Sequence, residues 1–297
     1  MFEGTLTALI TPFKDGGVDG EALRELVERQ IANGIAGLVV CGTTGEAAAM
    51  SMEERLATIR HVVEQAAGRV PVVAGTGSNN ARVTMEMTRK AQALKVDGVL
   101  VVTPYYVKPT QAGLVAHFAA VAEAGPPVVA YNVPSRTGVC MTAESVAAIS
   151  KIENVVALKE ASGDLKLAAS MLRAVEKTGG ELSVLSGDDF TYLPLLGIGG
   201  RGCISVVSNV VPGRMAEMTA AFEKGELEKA REIHFGLLPL MEALFLESNP
   251  IPVKAAMAML GLCSEEIRPP LTPLSEELGP RLKRALDECG AAQGKKP

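Results

Sequence analysis

The sequence predicts an α/β fold, a (β/α)8 TIM barrel with a C-terminal helical appendix, on three observations. Eight short runs rich in Val, Leu, Ile and Ala recur along the chain, mostly about 30 residues apart. Helix-length segments with apolar residues three and four apart lie between them. The runs are continuously apolar instead of alternating, which marks parallel strands buried on both faces, and eight such strands favour a closed barrel over an open sheet.

In chain order the strands are TLTALITP (5–12), GLVVCGTTG (37–45), PVVAGTGS (71–78), DGVLVVTPYY (97–106), PVVAYNVPS (127–135), NVVALKEAS (154–162), LSVLSGDD (182–189) and GCISVVSN (202–209). Segments such as GEALRELVERQIANG (20–34) and SMEERLATIRHVVEQAAG (51–68) carry the helical period and end in Gly or Asn-Gly, a common helix stop. The barrel is expected to occupy residues 1–224. Beyond it, residues 225–297 hold three further stretches of helical period, 225–245, 251–262 and 275–290, with no low-complexity linker before them.

Composition narrows the partners. The 297 residues are 47% hydrophobic, enough for a sizeable core, and the net charge of -5 comes from 29 basic against 34 acidic residues. No basic block precedes Lys295-Lys296, so the expectation is a small-molecule partner and neither nucleic acid nor membrane. The five cysteines, Cys41, Cys140, Cys203, Cys263 and Cys289, never form C-x-x-C and sit mostly among apolar neighbours, as reduced core thiols do. The start MFEGTLTALITPF lacks the pattern of a signal peptide, and no run reaches a membrane span. A cytoplasmic protein is expected.

In a barrel of this kind the C-terminal ends of the strands converge on one mouth, where active sites are built. Lys159 ends the sixth strand. At the other ends stand Thr43 and Thr44 after the second, Tyr105 and Tyr106 after the fourth, Tyr131 and Arg136 at the fifth, and Asp188 after the seventh. A desolvated amine becomes a nucleophile toward carbonyls, so Schiff-base chemistry on a 2-oxo acid is the natural proposal for Lys159. The imine draws a proton off the neighbouring carbon, and Tyr131 supplies a phenol to carry it, with Thr44 and Tyr106 extending the hydroxyl chain.

GTTGE admits two readings. Thr43-x-x-Glu46 matches a capping box, and the same helix start could hold a substrate carboxylate on free N–H groups. GIGGRGC (197–203) looks like a phosphate loop but precedes a strand and so belongs to the opposite rim. His61, His117 and His234 fall in helical segments without ligand spacing, so no metal is expected.

Together GTTGE (42–46), TPYY (103–106), YNVPSRTG (131–138), LKEASGD (158–164), SGDD (186–189) and NPIPVKAA (249–256) resemble the dihydrodipicolinate synthase family, in order along barrel and appendix. The resemblance implies condensation of pyruvate with aspartate semialdehyde, the first committed step toward diaminopimelate and lysine, by a homotetramer without organic cofactor. It implies that Lys159 forms the imine, that Tyr131 shuttles protons, and that Thr43 and Thr44 link it to Tyr106 of a neighbouring subunit. Arg136 would hold the aldehyde's carboxylate, with Gly187 and Ile204 as further substrate contacts.

N-acetylneuraminate lyases and sugar-acid aldolases share the lysine and tyrosine. The guanidinium of PSRTG suits a short substrate ending in a carboxylate better than a polyhydroxylated chain. A catalytically silent barrel that binds an oxo acid would lose a member of the lysine, tyrosine and threonine set, and none is lost. The sequence departs from lysine-inhibited members of the family. By motif register their inhibitor site falls on Ala47, Met52, Arg55, Asn79, Val83 and Tyr105, of which only the asparagine and tyrosine match.

Overall fold

The computed structural model describes residues 2–291, so Lys295-Lys296 and the last residues of the expected 225–297 region lie outside the described residues. Ten strands form: β1 Gly4–Ala8, β2 Phe13–Lys14, β3 Gly17–Val18, β4 Gly37–Val40, β5 Val72–Gly75, β6 Gly98–Val102, β7 Val128–Asn132, β8 Val155–Glu160, β9 Ser183–Ser186 and β10 Gly202–Ser205. Eight of them close a barrel in the order β1-β10-β9-β8-β7-β6-β5-β4. The eight apolar runs are those eight strands.

The helices are α1 Gly20–Ala32, α2 Met52–Ala66, α3 Ala81–Ala93, α4 Gln111–Ala122, α5 Pro134–Thr137, α6 Ala143–Ile149, α7 Leu165–Lys177, α8 Asp189–Gly197, α9 Pro212–Glu223, α10 Leu227–Ala243, α11 Ile251–Met259 and α12 Gly279–Glu288. Helix α9 ends against Lys224, where the barrel was expected to end, and α10 to α12 follow it.

The antiparallel pair β2 and β3 was absent from the sequence reading. Its signal is Asp15-Gly16, both at positive φ (53° and 81°), the dipeptide that favours a two-residue hairpin turn. The strands it joins are two residues long, too short to show a period.

By its contacts the chain forms two compact units, one centred on Pro71–Ile204 and one joining Thr5–Val70 to the chain from Ser205 onward. In the first, the strand residues Val73, Val99, Val101, Val128, Ala130, Ala157, Leu158 and Val184 are fully buried. Side-chain caps start its helices: Asn80 on α3, Asp164 on α7 and Asp188 on α8 soon after a strand, and Thr110 on α4 and Thr142 on α6 after longer loops. Each accepts from an orphan N–H of the first turn, which in the first three lets the helix begin within a few residues of a strand.

In the second unit, buried amides fasten the chain after β10 to the start of the barrel. Asn209 accepts from Ile10 N at 3.1 Å and donates to Ala8 O at 2.8 Å. Gln30 of α1 accepts from Thr7 Oγ1 at 2.7 Å and donates to Ser208 O at 2.9 Å. Helix α10 buries Ala230, Ile233, Leu237, Leu240 and Met241, the spacing of one helical stripe.

Candidate active site

Lys159 sits on β8 in register with Tyr131 on β7. Its side chain is 6% exposed, and its ammonium lies 4.4 Å from the centre of the Tyr131 ring. Successive residues of a strand face opposite sides. The next pair in register, Asn132 and Glu160, therefore points the other way, where Asn132 Nδ2 donates to Glu160 Oε2 at 2.8 Å. The carboxylate adjacent in sequence is thus occupied elsewhere. Among the described residues Lys159 makes no ion pair.

Gly187, just past β9, makes room for that lysine. A Cβ at this position would lie 2.9 Å from Lys159 Cε and 2.5 Å from Ala161 Cβ, closer than carbon atoms pack. Its N–H donates to Glu160 O at 2.7 Å, which fixes the loop beside the amine. Ile204, on β10, is buried. Asp188, expected at the mouth, caps α8 by accepting from Phe190 N at 3.0 Å. Burial raises the pKa of its carboxyl, and that hydrogen bond offsets part of the rise.

Arg136 is exposed on the one-turn helix α5, which Pro134 opens and Gly138, at φ 71°, closes. Thr137 holds this turn: its hydroxyl lies within hydrogen-bond reach of Val133 O and Val139 O, donating its one proton between them, and accepts from Thr103 Oγ1 at 3.3 Å. Thr103 N in turn donates to Tyr131 O at 2.9 Å. Thr103 and Thr137 went unread in the sequence, although VVTP and SRTG place a threonine at each strand or turn end. Tyr106 is 87% exposed at φ 71°, with Tyr105 and Val107 exposed beside it. A left-handed tyrosine costs on the order of 1–3 kcal/mol, and such strain gathers at functional positions.

In the second unit GTTGE does not cap a helix. Glu46 is left-handed (φ 53°) and leads into a three-residue 3-10 turn with no side-chain cap. The capping box lies one turn later, between Ser51 and Glu54, at the start of α2. The dipole argument for a carboxylate at Thr43 and Thr44 falls with it, because α2 begins only at Met52. Thr43 is exposed, while Thr44 is buried and accepts from Asn249 Nδ2 at 3.0 Å.

Glu46 instead forms a buried ion pair with Lys254 of α11, at 2.7 Å with each side chain 1% exposed. Lys254 Nζ also donates to Thr11 O at 2.7 Å, and Arg268 N donates to the second oxygen of Glu46 at 3.0 Å. Burial lowers the pKa of Lys254, and Glu46 works against that fall. A cleft of about 460 Å³ beside α11, lined by Ile251, Met259, Cys263, Leu274 and Glu276, has Lys254 at its wall. That lysine is already matched by its carboxylate, so the cleft offers no free nucleophile.

The five cysteines are free thiols. Burial pushes Cys41 up to about 12 and Cys263 up to about 11, and raises Cys140, Cys203 and Cys289 as well, so all five stay protonated near neutral pH. His61, His117 and His234 lie on α2, α4 and α10, and no group of three potential metal ligands occurs among the described residues. No helix among those residues is long and apolar enough to cross a membrane.

Residues 1–289 match the model of the dihydrodipicolinate synthetase family. The chain belongs to that family. Among its relatives, the 4-hydroxy-tetrahydrodipicolinate synthase of Syntrophus aciditrophicus is 50% identical over 98% of this chain and 99% of its own. The dihydrodipicolinate synthase of Thermotoga maritima superposes with a TM-score of 0.96 at 43% identity, covering 98% of this chain and 99% of that one. The chloride-inhibited enzyme of Acinetobacter baumannii, complexed with pyruvate, superposes with a TM-score of 0.94 at 41% identity over 98% of this chain and all of its own.

Within this family member the Glu46–Lys254 pair yields a stability test. Lys254→Ala leaves a carboxylate buried without its cation, and losing one partner of such a pair costs about 3–5 kcal/mol. Urea unfolding of the two proteins should differ by that amount; a loss under about 1 kcal/mol would mean that the pair is not holding the turn.

Proposed function

We propose that this chain is a 4-hydroxy-tetrahydrodipicolinate synthase, a lyase that condenses pyruvate with L-aspartate semialdehyde in diaminopimelate and lysine biosynthesis. The observation that carries the reading is a buried lysine at a barrel strand end, packed on a tyrosine ring and without a carboxylate partner among the described residues.

The chemistry follows from that amine. Lys159 Nζ adds to the C2 carbonyl of pyruvate and water leaves, giving an imine whose nitrogen withdraws electrons from C3. A C3 proton departs and the resulting enamine attacks the aldehyde carbon of aspartate semialdehyde, forming the new carbon–carbon bond. The amino group of the former aspartate semialdehyde then attacks the imine carbon, closing the ring and expelling the Lys159 amine, which balances the step and frees the lysine. These steps move protons on and off carbinolamine oxygen, C3 and the new alkoxide, and the Tyr131 phenol is the acid and base assigned to them. Thr43, Thr44 and Tyr106 of a neighbouring subunit complete the relay. Arg136 binds the aldehyde's carboxylate as a bidentate partner, with Gly187 and Ile204 lining the pyruvate side.

The working form in this reading is a homotetramer. Support comes from Tyr105, Tyr106 and Val107, three consecutive exposed apolar side chains on one strained loop, a segment suited to cover by another copy. The related lyases of N-acetylneuraminate and 2-keto-3-deoxy sugar acids remain the comparison class, since they use the same amine and phenol. Arg136 favours the shorter substrate.

Assaying turnover of pyruvate with aspartate semialdehyde beside N-acetylneuraminate and 2-keto-3-deoxygluconate tests the assignment; only the first is expected to react. Arg136→Ala should still form the pyruvate imine while kcat/KM for the aldehyde falls by the equivalent of about 2–5 kcal/mol, the range for leaving the bound substrate's carboxylate without its charged hydrogen-bond partner. Undiminished turnover at low aldehyde would remove Arg136 from the site.

Regulation gives a further expectation. Free lysine brings two ammonium groups and one carboxylate, and Val83 supplies no counter-charge where the inhibited relatives have a glutamate, while Arg55 adds a like charge. L-Lysine at 1 mM or so should leave turnover unchanged, since a loss of about 3 kcal/mol is more than a hundredfold in affinity. Half-inhibition at sub-millimolar lysine would contradict the loss of the inhibitor site at Arg55 and Val83.

A further inference from the structure

We propose that Asn249 is a positioning residue that sets the direction of the Thr44 hydroxyl proton, an inference that rests on the relay described above. Asn249 lies between α10 and α11, 7% exposed, and its Nδ2 donates to Thr44 Oγ1 at 3.0 Å; Thr44 is 3% exposed. A hydroxyl has one proton to give and two lone pairs to fill. An amide N–H on one lone pair turns the hydroxyl proton away from Asn249. Burial keeps water from competing for either role, so Thr44 gives its proton in a single direction, which a relay requires.

The surrounding contacts separate this role from mere support of the turn. Thr11 Oγ1 donates to Gly45 O at 2.7 Å, and Lys254 with Arg268 N holds the Glu46 carboxylate. The positions after Thr44 are therefore anchored without Asn249, and the asparagine bond falls on the hydroxyl itself. The nearby charges are also spoken for: Glu46 meets Lys254, and the Arg268 guanidinium meets Glu54 at 2.6 Å.

The test compares wild type, Asn249→Asp, Asn249→Ala, Thr44→Val and the two double variants, as the assembled enzyme, between pH 5.5 and 9, with activities expressed relative to wild type at each pH. Ionised, the aspartate of Asn249→Asp can only accept, and it draws the Thr44 proton to itself; protonated, it can donate again. Asn249→Asp is therefore expected to lose about ten- to hundredfold in kcat at pH 8 with little change in pyruvate KM, and to regain activity as pH falls through the carboxyl's burial-raised pKa. Asn249→Ala should lose activity without that recovery. Each double variant should match Thr44→Val alone, because on this proposal the asparagine affects turnover through that hydroxyl.

A loss by Asn249→Asp that is equal at every pH, or losses that multiply in the double variants, would overturn the proposal in favour of a structural role. Unchanged activity of Asn249→Asp would show the amide oxygen, not its N–H, facing Thr44, and would overturn it too. If Asn249→Asp does not fold, the alanine cycle decides by the same criterion of matching or multiplying losses. Full activity of Thr44→Val, or no turnover by wild type, would sink the underlying reading instead, and these outcomes are visible without any variant at 249.

Discussion

The structure turns on a buried amine that makes no ion pair among the described residues. Removing a cation from water is expensive unless a partner repays the lost hydration, and partly buried lysines are normally paired. Lys159 has a π face at 4.4 Å in place of a carboxylate. Three features of the sheet produce that state. The strand period sends Glu160 to the opposite face, where Asn132 and the following loop occupy it. The register of β7 and β8 sets Tyr131 beside the lysine. Gly187 leaves the volume its methylene stem needs. In the proposed reaction this is the amine that forms the imine.

Lys254 supplies the comparison within the same chain. It is the more deeply buried of the two, yet Glu46 and the Thr11 carbonyl satisfy it, and Phe13 covers it at 4.3 Å. Its work is structural. It holds Glu46 in a left-handed conformation that a glutamate rarely adopts, and through it the turn carrying Thr43 and Thr44. The appendix thus contributes to the turn that bears two of the expected relay residues, which explains why NPIPVKAA stands among the motifs although it lies outside the barrel. Asn249 and Lys254 reach the turn from the start of one helix.

The barrel was legible because its signal is long-range and redundant: eight continuously apolar runs alternate with helical segments, and each run marks a strand buried on both faces. Lys159 and Tyr131 were legible because position at a strand end follows from those runs. The GTTGE reading failed on a local ambiguity. Thr43-x-x-Glu46 and Ser51-x-x-Glu54 both fit a capping box, and the choice depends on partners more than 200 residues away: Lys254 pairs with the Glu46 carboxylate and the Arg268 backbone N–H donates to it. Asp188 stands past its strand as expected, and its added role as the cap of α8 was not read, since an aspartate after a strand serves equally as a cap or as a site group. The hairpin at Asp15-Gly16 carried its turn signal but strands too short to notice.

Borohydride trapping tests the account at its centre. The enzyme is incubated with pyruvate, reduced, digested and mapped by mass spectrometry. A reduced pyruvyl group on the peptide containing Lys159, absent when pyruvate is omitted, is the predicted result. Labelling of Lys254 or Lys108 with Lys159 unmodified would contradict it, because the nucleophile would then be an amine that the structure either pairs with a carboxylate or leaves on a surface loop.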